Sequence, residues 1–266
     1  MITTDTYQRV TDIIRDTVDT EALSRFGHLT RGDITEKNPG DLVTIADTRT
    51  ETALTTQLET ILDGSVTVGE EACETNPALI DILATDTPAW IIDPIDGTSN
   101  YATGNPQYSC LVALASGGKV HASWLYAPSL KLTAGAHTGH GAWINDQPAT
   151  ITPRPATGTL DIVTTHPNYT GGFHDTLTKL DTPTLKRTAC SSAGLSYIDL
   201  IQGRHDALVY TWEKPWDHAT GLHIHTTLGG RHTTMDGKTF NLAGGNTLPF
   251  ITGSPDAIDT ILSLLD

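Results

Sequence analysis

The chain has 266 residues, 38% of them hydrophobic and 18% charged, with a formal net charge of −15. This length fits one large domain or two tightly joined halves around a real core, and the composition excludes a disordered chain. So acidic a surface repels nucleic acid and anionic membranes unless metal ions change its sign locally, and its plain reading is that it keeps the protein soluble.

Tyr7, Val10, Ile13, Ile14, Val18, Leu23 and Phe26 recur mostly at spacings of three and four, which predicts an amphipathic helix over residues 6–26. Residues 31–46 hold Gly, Asn and Asp with Pro39 and Gly40, and read as a loop or short hairpin. A second helix is predicted through about Leu62, with Ala53, Leu54, Leu58, Ile61 and Leu62 inward and Gly64 ending it. Ser65 to Val68 reads as a strand that delivers Gly69-Glu70-Glu71, and Trp90-Ile91-Ile92 as a buried strand that delivers Asp93. Strands at 108–115, 119–128, 130–135 and 140–145, separated by turn signals, predict an antiparallel meander.

Pro153 to Gly158 reads as a connector between an α+β half (about 1–152) and an α/β half (about 153–266). Beyond it come a strand at 160–165, helices near 173–180 and 192–202, and a strand at 206–210. A helix from about residue 217 to Gly229-Gly230, a strand at 249–253 and a helix from Ser254 complete the chain. Ser254 is a good N-cap, and Pro255 fits the first turn. Cys73, Cys110 and Cys190 form no CxxC pair, which predicts reduced thiols in a cytoplasm. The N-terminal stretch has no apolar signal region, and no run is long enough to span a membrane.

The strongest chemical signal is Asp93-Pro94-Ile95-Asp96-Gly97-Thr98-Ser99-Asn100. Two carboxylates three residues apart can converge where a strand ends, and Mg²⁺ uses a few such oxygen ligands. Ile95 can add its carbonyl, while Gly97, Thr98 and Ser99 can open a helix whose amides cradle a phosphate. The plain alternative is a strand-to-helix turn with Asp96 as N-cap. Gly69-Glu70-Glu71 also follows a predicted strand, so two acid-bearing strand ends suggest one acidic pocket at a sheet edge; alone, Glu70 and Glu71 would read as a solvated pair. Asp217 starts a helix and alone would read as its N-cap. His218, His223 and His225 offer a rival zinc site, although 223 aligns poorly with the other two on a helix. No GxSxG elbow and no GxxxxGK[ST] loop is present.

Together these features resemble the inositol monophosphatase family of metal-dependent phosphatases. The resemblance rests on GDLVTIAD (40–47), GEE (69–71), WIIDPIDGTSNY (90–101), RTACSSAGLSYIDLIQGRHDALVY (187–210) and KPWDHATG (214–221). It implies a single phosphatase domain over 1–266, an alternating αβαβα layered sandwich of the sugar-phosphatase type between α+β and α/β, and a homodimer. It assigns a first Mg²⁺ to Glu70, Asp93 and the Ile95 carbonyl, a second to Asp93, Asp96 and Asp217, and a weaker third ion near Glu70. Glu70 with Thr98 would orient and deprotonate the attacking water, with Asp47 supporting Thr98. Gly97 and Thr98 amides would bind phosphate, and Asp96, Ser192 and Asp217 would meet the substrate. Glu71 matches the family's second acid, and Lys37 would lie near the metals on a loop.

The substrate implied first is inositol 1-phosphate. Histidinol phosphate, fructose 1,6-bisphosphate and other sugar phosphates are alternatives. Tyr210 stands seven residues before Asp217, where inositol-preferring members carry Glu; the nearest acid is Glu213. Cys190 stands where the family usually has Gly. A two-carboxylate glycosidase is disfavoured by the adjacent Gly-Thr phosphate cradle. A non-catalytic regulatory protein of the same fold is disfavoured because all four acids, at 70, 93, 96 and 217, are present.

Overall fold

A computed structural model describes residues 2–38, 40–155 and 158–266. Pro39 of the predicted hairpin, and Ala156 and Thr157 of the predicted connector, lie outside the described residues. The first part of the chain holds α1 (Thr4–Glu21), β1 (Ile34–Asn38), β2 (Asp41–Thr44), α2 (Ile45–Leu58), β3 (Val66–Gly69), α3 (Glu70–Thr75), β4 (Ala89–Asp96) and α4 (Thr98–Ala102). The meander follows as β5 (Ser109–Ser116), β6 (Lys119–Ala127), β7 (Leu132–His137), β8 (Gly141–Ile144) and β9 (Gln147–Pro148). Then come β10 (Leu160–Thr164), α5 (His174–Thr178), β11 (Leu185–Ala189), α6 (Ala193–Ile201), β12 (Ala207–Tyr210), α7 (Pro215–Thr227), β13 (Arg231–Thr234), β14 (Phe250–Gly253) and α8 (Pro255–Leu265).

The strands form two main sheets and a hairpin, β1-β2. The seven-stranded sheet runs β3 to β9 in sequence order, with β3 parallel to β4 and the rest antiparallel. The five-stranded sheet has the order β11-β10-β12-β14-β13. Successive strand residues face opposite sides, and this alternation sorts the core into layers. Trp90, Ile92, Val112 and Leu114 pack with Val10, Ile14 and Val18 of α1 and Leu54 and Leu58 of α2. Their neighbours Ile91, Ala113 and Ala115 face the other way, onto Tyr197 and Leu200 of α6 and Ala219 and Leu222 of α7. The same cluster takes Val163, Leu208 and Phe250 from the second sheet. The opposite face of that sheet, Ile162, Ala207, Val209 and Ile251, packs on α5 and α8. The layers therefore run α1/α2, sheet, α6/α7, sheet, α5/α8: an αβαβα sandwich, as the resemblance implies.

The differences from the sequence reading have local causes. α2 stops at Leu58, short of Leu62, where the Thr60 hydroxyl donates to the Gln57 carbonyl at 2.6 Å. A threonine bonded to nearby backbone competes with the helix ladder. Ile61 and Leu62 still pack against the first core. β11 and β13 are not predicted because they are the two edges of the five-stranded sheet. Edge strands such as Leu185-Lys186-Arg187-Thr188-Ala189 carry charge and little apolar alternation. No described helix is long and apolar enough to cross a membrane.

Candidate active site

Parallel pairing of β3 with β4 sets Gly69 opposite Ile92, so the chain leaves β3 beside the residue preceding Asp93. Asp93 and Asp96 are an odd number apart and would face opposite sides of a regular strand. The pairing of β4 with β5 shifts register between them, and such an irregularity re-aims side chains. Pro94, which has no N–H for the ladder, sits in that interval. Asp217 enters from the third residue of α7, whose N-cap is Lys214 rather than Asp217. Ligand oxygens of Asp93, Asp96 and Asp217 then lie within 4.8 Å of one another.

Asp93 and Asp96 are buried, and Asp93 Oδ1 has no hydrogen-bond partner among the described residues. Burial raises all three carboxyls. Glu70, Asp96 and Asp217 add repulsion at Asp93, which is held well above its usual value. Asp217 is pushed up to about 7 by burial and then by Asp96, against hydrogen bonds from Asp93 and the Trp212 indole. Asp96 is raised chiefly by burial, against four donors: the Ser192 hydroxyl at 2.5 Å, the Ala193 and Gly194 amides at 2.9 Å each, and the Ser109 hydroxyl at 3.2 Å. Asp96 therefore serves the N-terminus of α6, whereas the N-cap of α4 is Gly97. Close, buried carboxylates with an orphaned oxygen suit a hard divalent cation, which supplies the missing counter-charge.

Glu70 and Glu71 open α3. Lys37 Nζ lies 3.2 Å from Glu70 Oε1 and 3.1 Å from Glu71 Oε1, so the predicted loop lysine is engaged by both acids. Burial works against the Lys37 charge, but Glu70 and Glu71 overcome it and hold the ammonium above its usual value. Glu70 is itself raised, chiefly by burial. Glu51 is a site residue that the sequence reading missed. Its carboxylate accepts from the Glu71 and Ala72 amides, both at 2.8 Å, and so caps α3. A Cβ on Gly69 would sit 2.4 Å from the Glu51 carboxyl carbon, which is why glycine precedes Glu70. A charged residue in register with buried Asp47, Leu54 and Leu58 of α2 was the available signal.

Thr98 Oγ1 is 3.2 Å from Asp47 Oδ1 and 3.0 Å from the Ile95 carbonyl oxygen. Asp47 is fixed by the Thr44 amide at 2.9 Å and hydroxyl at 2.5 Å, and burial pushes it up to about 7. Gly97 has φ +91°, and a Cβ there would meet the Gln107 carbonyl at 2.9 Å. A cleft of about 840 Å³ is lined by Glu70, Asp96, Gly97, Thr98, Ser192 and Asp217, together with Tyr169 and Lys214.

The remaining sequence candidates lie elsewhere. Tyr210 is fully buried, its hydroxyl 3.7 Å from Cys190 Sγ, and it does not line the cleft. Glu213 Oε2 accepts from the Asn246 amide and side chain, both at 2.8 Å, and ties a loop. The three histidines form no metal cluster among the described residues. His218 meets the Tyr197 hydroxyl and the Trp212 carbonyl, His223 meets Ser123 and Thr138, and His225 meets Thr252.

The inositol monophosphatase family model matches residues 6–258. The chain belongs to this family. It is a phosphatase, hence a hydrolase. It is 29% identical over 233 residues to a Thermotoga maritima fructose-1,6-bisphosphatase/inositol-1-monophosphatase, covering 84% of this chain and 86% of the relative. It is 30% identical over 180 residues to a putative Nus factor SuhB of Neisseria meningitidis, covering 66% of this chain and 68% of the relative. Among solved structures, a Thermotoga maritima IMPase superposes with TM-score 0.75 at 25% identity, covering 97% of this chain and 96% of that one. A Ca-bound IMPase family protein from Staphylococcus aureus gives TM-score 0.80 at 23% identity, covering 99% and 96%. These likenesses bear out the family and fold that the motifs imply.

Proposed function

We propose that the chain hydrolyses a small phosphate monoester, with Mg²⁺ held by Glu70, Asp93, the Ile95 carbonyl, Asp96 and Asp217. The observation that carries this reading is the Asp93–Asp96–Asp217 cluster with its orphaned Oδ1, of which Asp96 and Asp217 line the same cleft as Thr98. When bound, Mg²⁺ would neutralise the phosphate dianion and lower the pKa of the attacking water. The rest is done by the chain's own groups. Asp47 turns the Thr98 proton toward itself, which leaves a hydroxyl lone pair to accept from the attacking water. Glu70, whose Oε1 is held by Lys37, takes the water's proton. The Gly97 and Thr98 amides bind the phosphate oxygens, and Ser192 orients the alcohol it leaves.

Inositol 1-phosphate is the first substrate. Fructose 1,6-bisphosphate is the second reading, favoured by Lys214 in the cleft wall, where a second phosphate would find a cation. The Thermotoga relative bears both activities in its name. Free thiols at Cys73, Cys110 and Cys190 support a reducing compartment. The homodimer that the resemblance implies is part of this proposal, and light scattering tests it.

Phosphate release over a panel of monoesters, with Mg²⁺ or EDTA, tests the reading. Mg²⁺-dependent release that Li⁺ inhibits is expected, greatest with inositol 1-phosphate. Absence of such release from every monoester would favour the non-catalytic alternative. Full activity in Asp96→Asn would overturn the metal assignment.

A further inference from the structure

Four rings stack in a row where α1 meets the seven-stranded sheet. Trp124 of β6 lies on Tyr7 of α1, with centroids 4.5 Å apart and planes at 23°. Tyr7 lies on His137 at 5.5 Å and 16°, and His137 lies on His140 at 4.3 Å and 14°. Both ends of the row are fixed. At the inner end, the Tyr7 hydroxyl donates to the Ser123 carbonyl at 2.8 Å, over Gly135, where a Cβ would sit 2.2 Å from that hydroxyl. At the outer end, the turn between β7 and β8 sets the two histidines, with the His140 amide donating to the His137 carbonyl at 2.9 Å. His137 is 4% exposed, and its ring bonds the Ile2 backbone just ahead of α1. His140 is exposed.

The inner rings stay neutral, because indole has no acid to lose and burial holds the Tyr7 phenol above its usual value. The outer rings are histidines, which change charge between neutral and mildly acid pH. Among the described residues, the histidine paired with a carboxylate is His205, with Asp161, so neither ring of the stacked pair has an acid in contact. The other titratable groups at this corner are Lys119 and His121 of β6, His223 of α7 and the amino terminus, none of them an acid. One imidazolium against the Tyr7 face is a favourable contact. Two imidazoliums face to face at 4.3 Å repel each other with no counter-charge beside them.

We propose that the stacked His137–His140 pair is a proton-sensitive latch on α1. With at most one proton it completes the ring row and holds the first turns of the helix on the sheet; with two it parts and frees them. Burial, and then His140, lower His137 from its usual value. The latch therefore contributes fully above about pH 6.5, the unfolded value, and its contribution is lost as pH falls below that. No group of the cleft takes part, so the latch is independent of the phosphatase reading.

The test is amide hydrogen exchange on the full chain at about pH 7.5 and about pH 5, corrected for the intrinsic effect of pH on exchange. At about pH 5 His223, lowered to about 4, is still mostly neutral and adds little charge. In wild type, protection of the first two turns of α1 falls at least about tenfold relative to α8 between the two pH values, the change carried by one unit of pKa difference. His140→Asn, which leaves one imidazole, and His137→Phe, which keeps a ring in the row without a charge, hold that ratio within about twofold. Circular dichroism confirms that each variant is folded, and His140→Gln serves as a second variant at the exposed position. Equal relative protection of α1 at both pH values in wild type overturns the proposal, as does a wild-type-sized loss in the His140 variants or in His137→Phe.

Discussion

Replacing Asp93 by asparagine should stabilise the metal-free protein while removing its response to metal. Asp93 is 1% exposed, Oδ1 has no partner among the described residues, and ligand oxygens of Asp93, Asp96 and Asp217 lie within 4.8 Å of one another. Two unit charges at that separation repel by about 3.5 kcal/mol at an effective dielectric of about 20. Proton binding gives the cost of ionising this cluster on the same scale. Asp217 is pushed up to about 7 from 3.8, chiefly by burial and then by Asp96, and a rise of roughly three units is about 4 kcal/mol. A folded pKa above the unfolded one contributes stability that is full below about pH 3.8 and is lost as pH rises through about 7. The asparagine keeps the shape, removes a charge and adds a donor. In EDTA at pH 8 the variant should therefore be more stable than wild type by about 2–4 kcal/mol, or roughly 5–10 °C in Tm. At pH 5 the gap should narrow, because the folded wild type already holds protons there. In Mg²⁺ at a thousand times Kd the order should reverse, since the ion stabilises only the chain that binds it, by about 4.1 kcal/mol. Calorimetric unfolding at both pH values, with and without Mg²⁺, reads all four states. An Asp93→Asn variant less stable than wild type in EDTA at pH 8, or one with the wild-type Mg²⁺ shift, would refute the reasoning.

Gly69→Ala drives a methyl into the Glu51 carboxylate and should cost about 2 kcal/mol in urea unfolding, with a lower kcat because Glu70 moves with α3. Thr98→Val and Asp47→Asn should each lower kcat about a hundredfold with little change in KM, while Thr98→Ser retains most activity in steady-state assays. Tyr210→Phe should leave KM for inositol 1-phosphate within about twofold, and Tyr210→Glu should destabilise by about 2–4 kcal/mol instead of creating a substrate contact, because that position is buried against Cys190. Burial lowers His218 to about 3 and His223 and His225 to about 4, so the folded chain keeps them neutral while the unfolded chain takes up protons below about 6.5. Their stabilising contribution, full above about pH 6.5, should be lost as pH falls toward 4. Unfolding free energies in the Asp93→Asn background, where the carboxylates weigh less, should show this loss; a flat profile from pH 6.5 to 4.5 would exclude it.

The meander strands were legible because their inner residues alternate between two apolar faces, and α7 and α8 because Gly229 and Ser254 punctuate them. β11 and β13 were not, since an edge strand has no second neighbour to demand apolar side chains. At the site, the acids were legible as strand and helix ends, but their connections were not. Which helix Asp96 caps depends on a fold contact with residues 192–194, nearly a hundred positions away. Glu51 likewise reaches the α3 amides from about 20 positions away. Tyr210 could not be placed from the sequence, because a position counted from a motif does not say which way a side chain points.

These hidden contacts make the site and the scaffold one object. Asp47 closes the capping box of α2, Glu51 caps α3, and Asp96 holds the first amides of α6. Asp96 lies at the end of the seven-stranded sheet, while α6 packs between the two sheets, so this carboxylate joins two layers at the cleft. Two consequences follow. The acids are positioned by bonds that do not depend on metal, so the cluster is assembled before an ion arrives and its repulsion is sustained by the fold. Loss of activity in an Asp96 or Asp47 variant, in turn, mixes lost chemistry with a lost helix cap, worth about 1 kcal/mol. Asp93 makes no such structural bond through Oδ1, which is why its replacement separates the metal's contribution from the scaffold's.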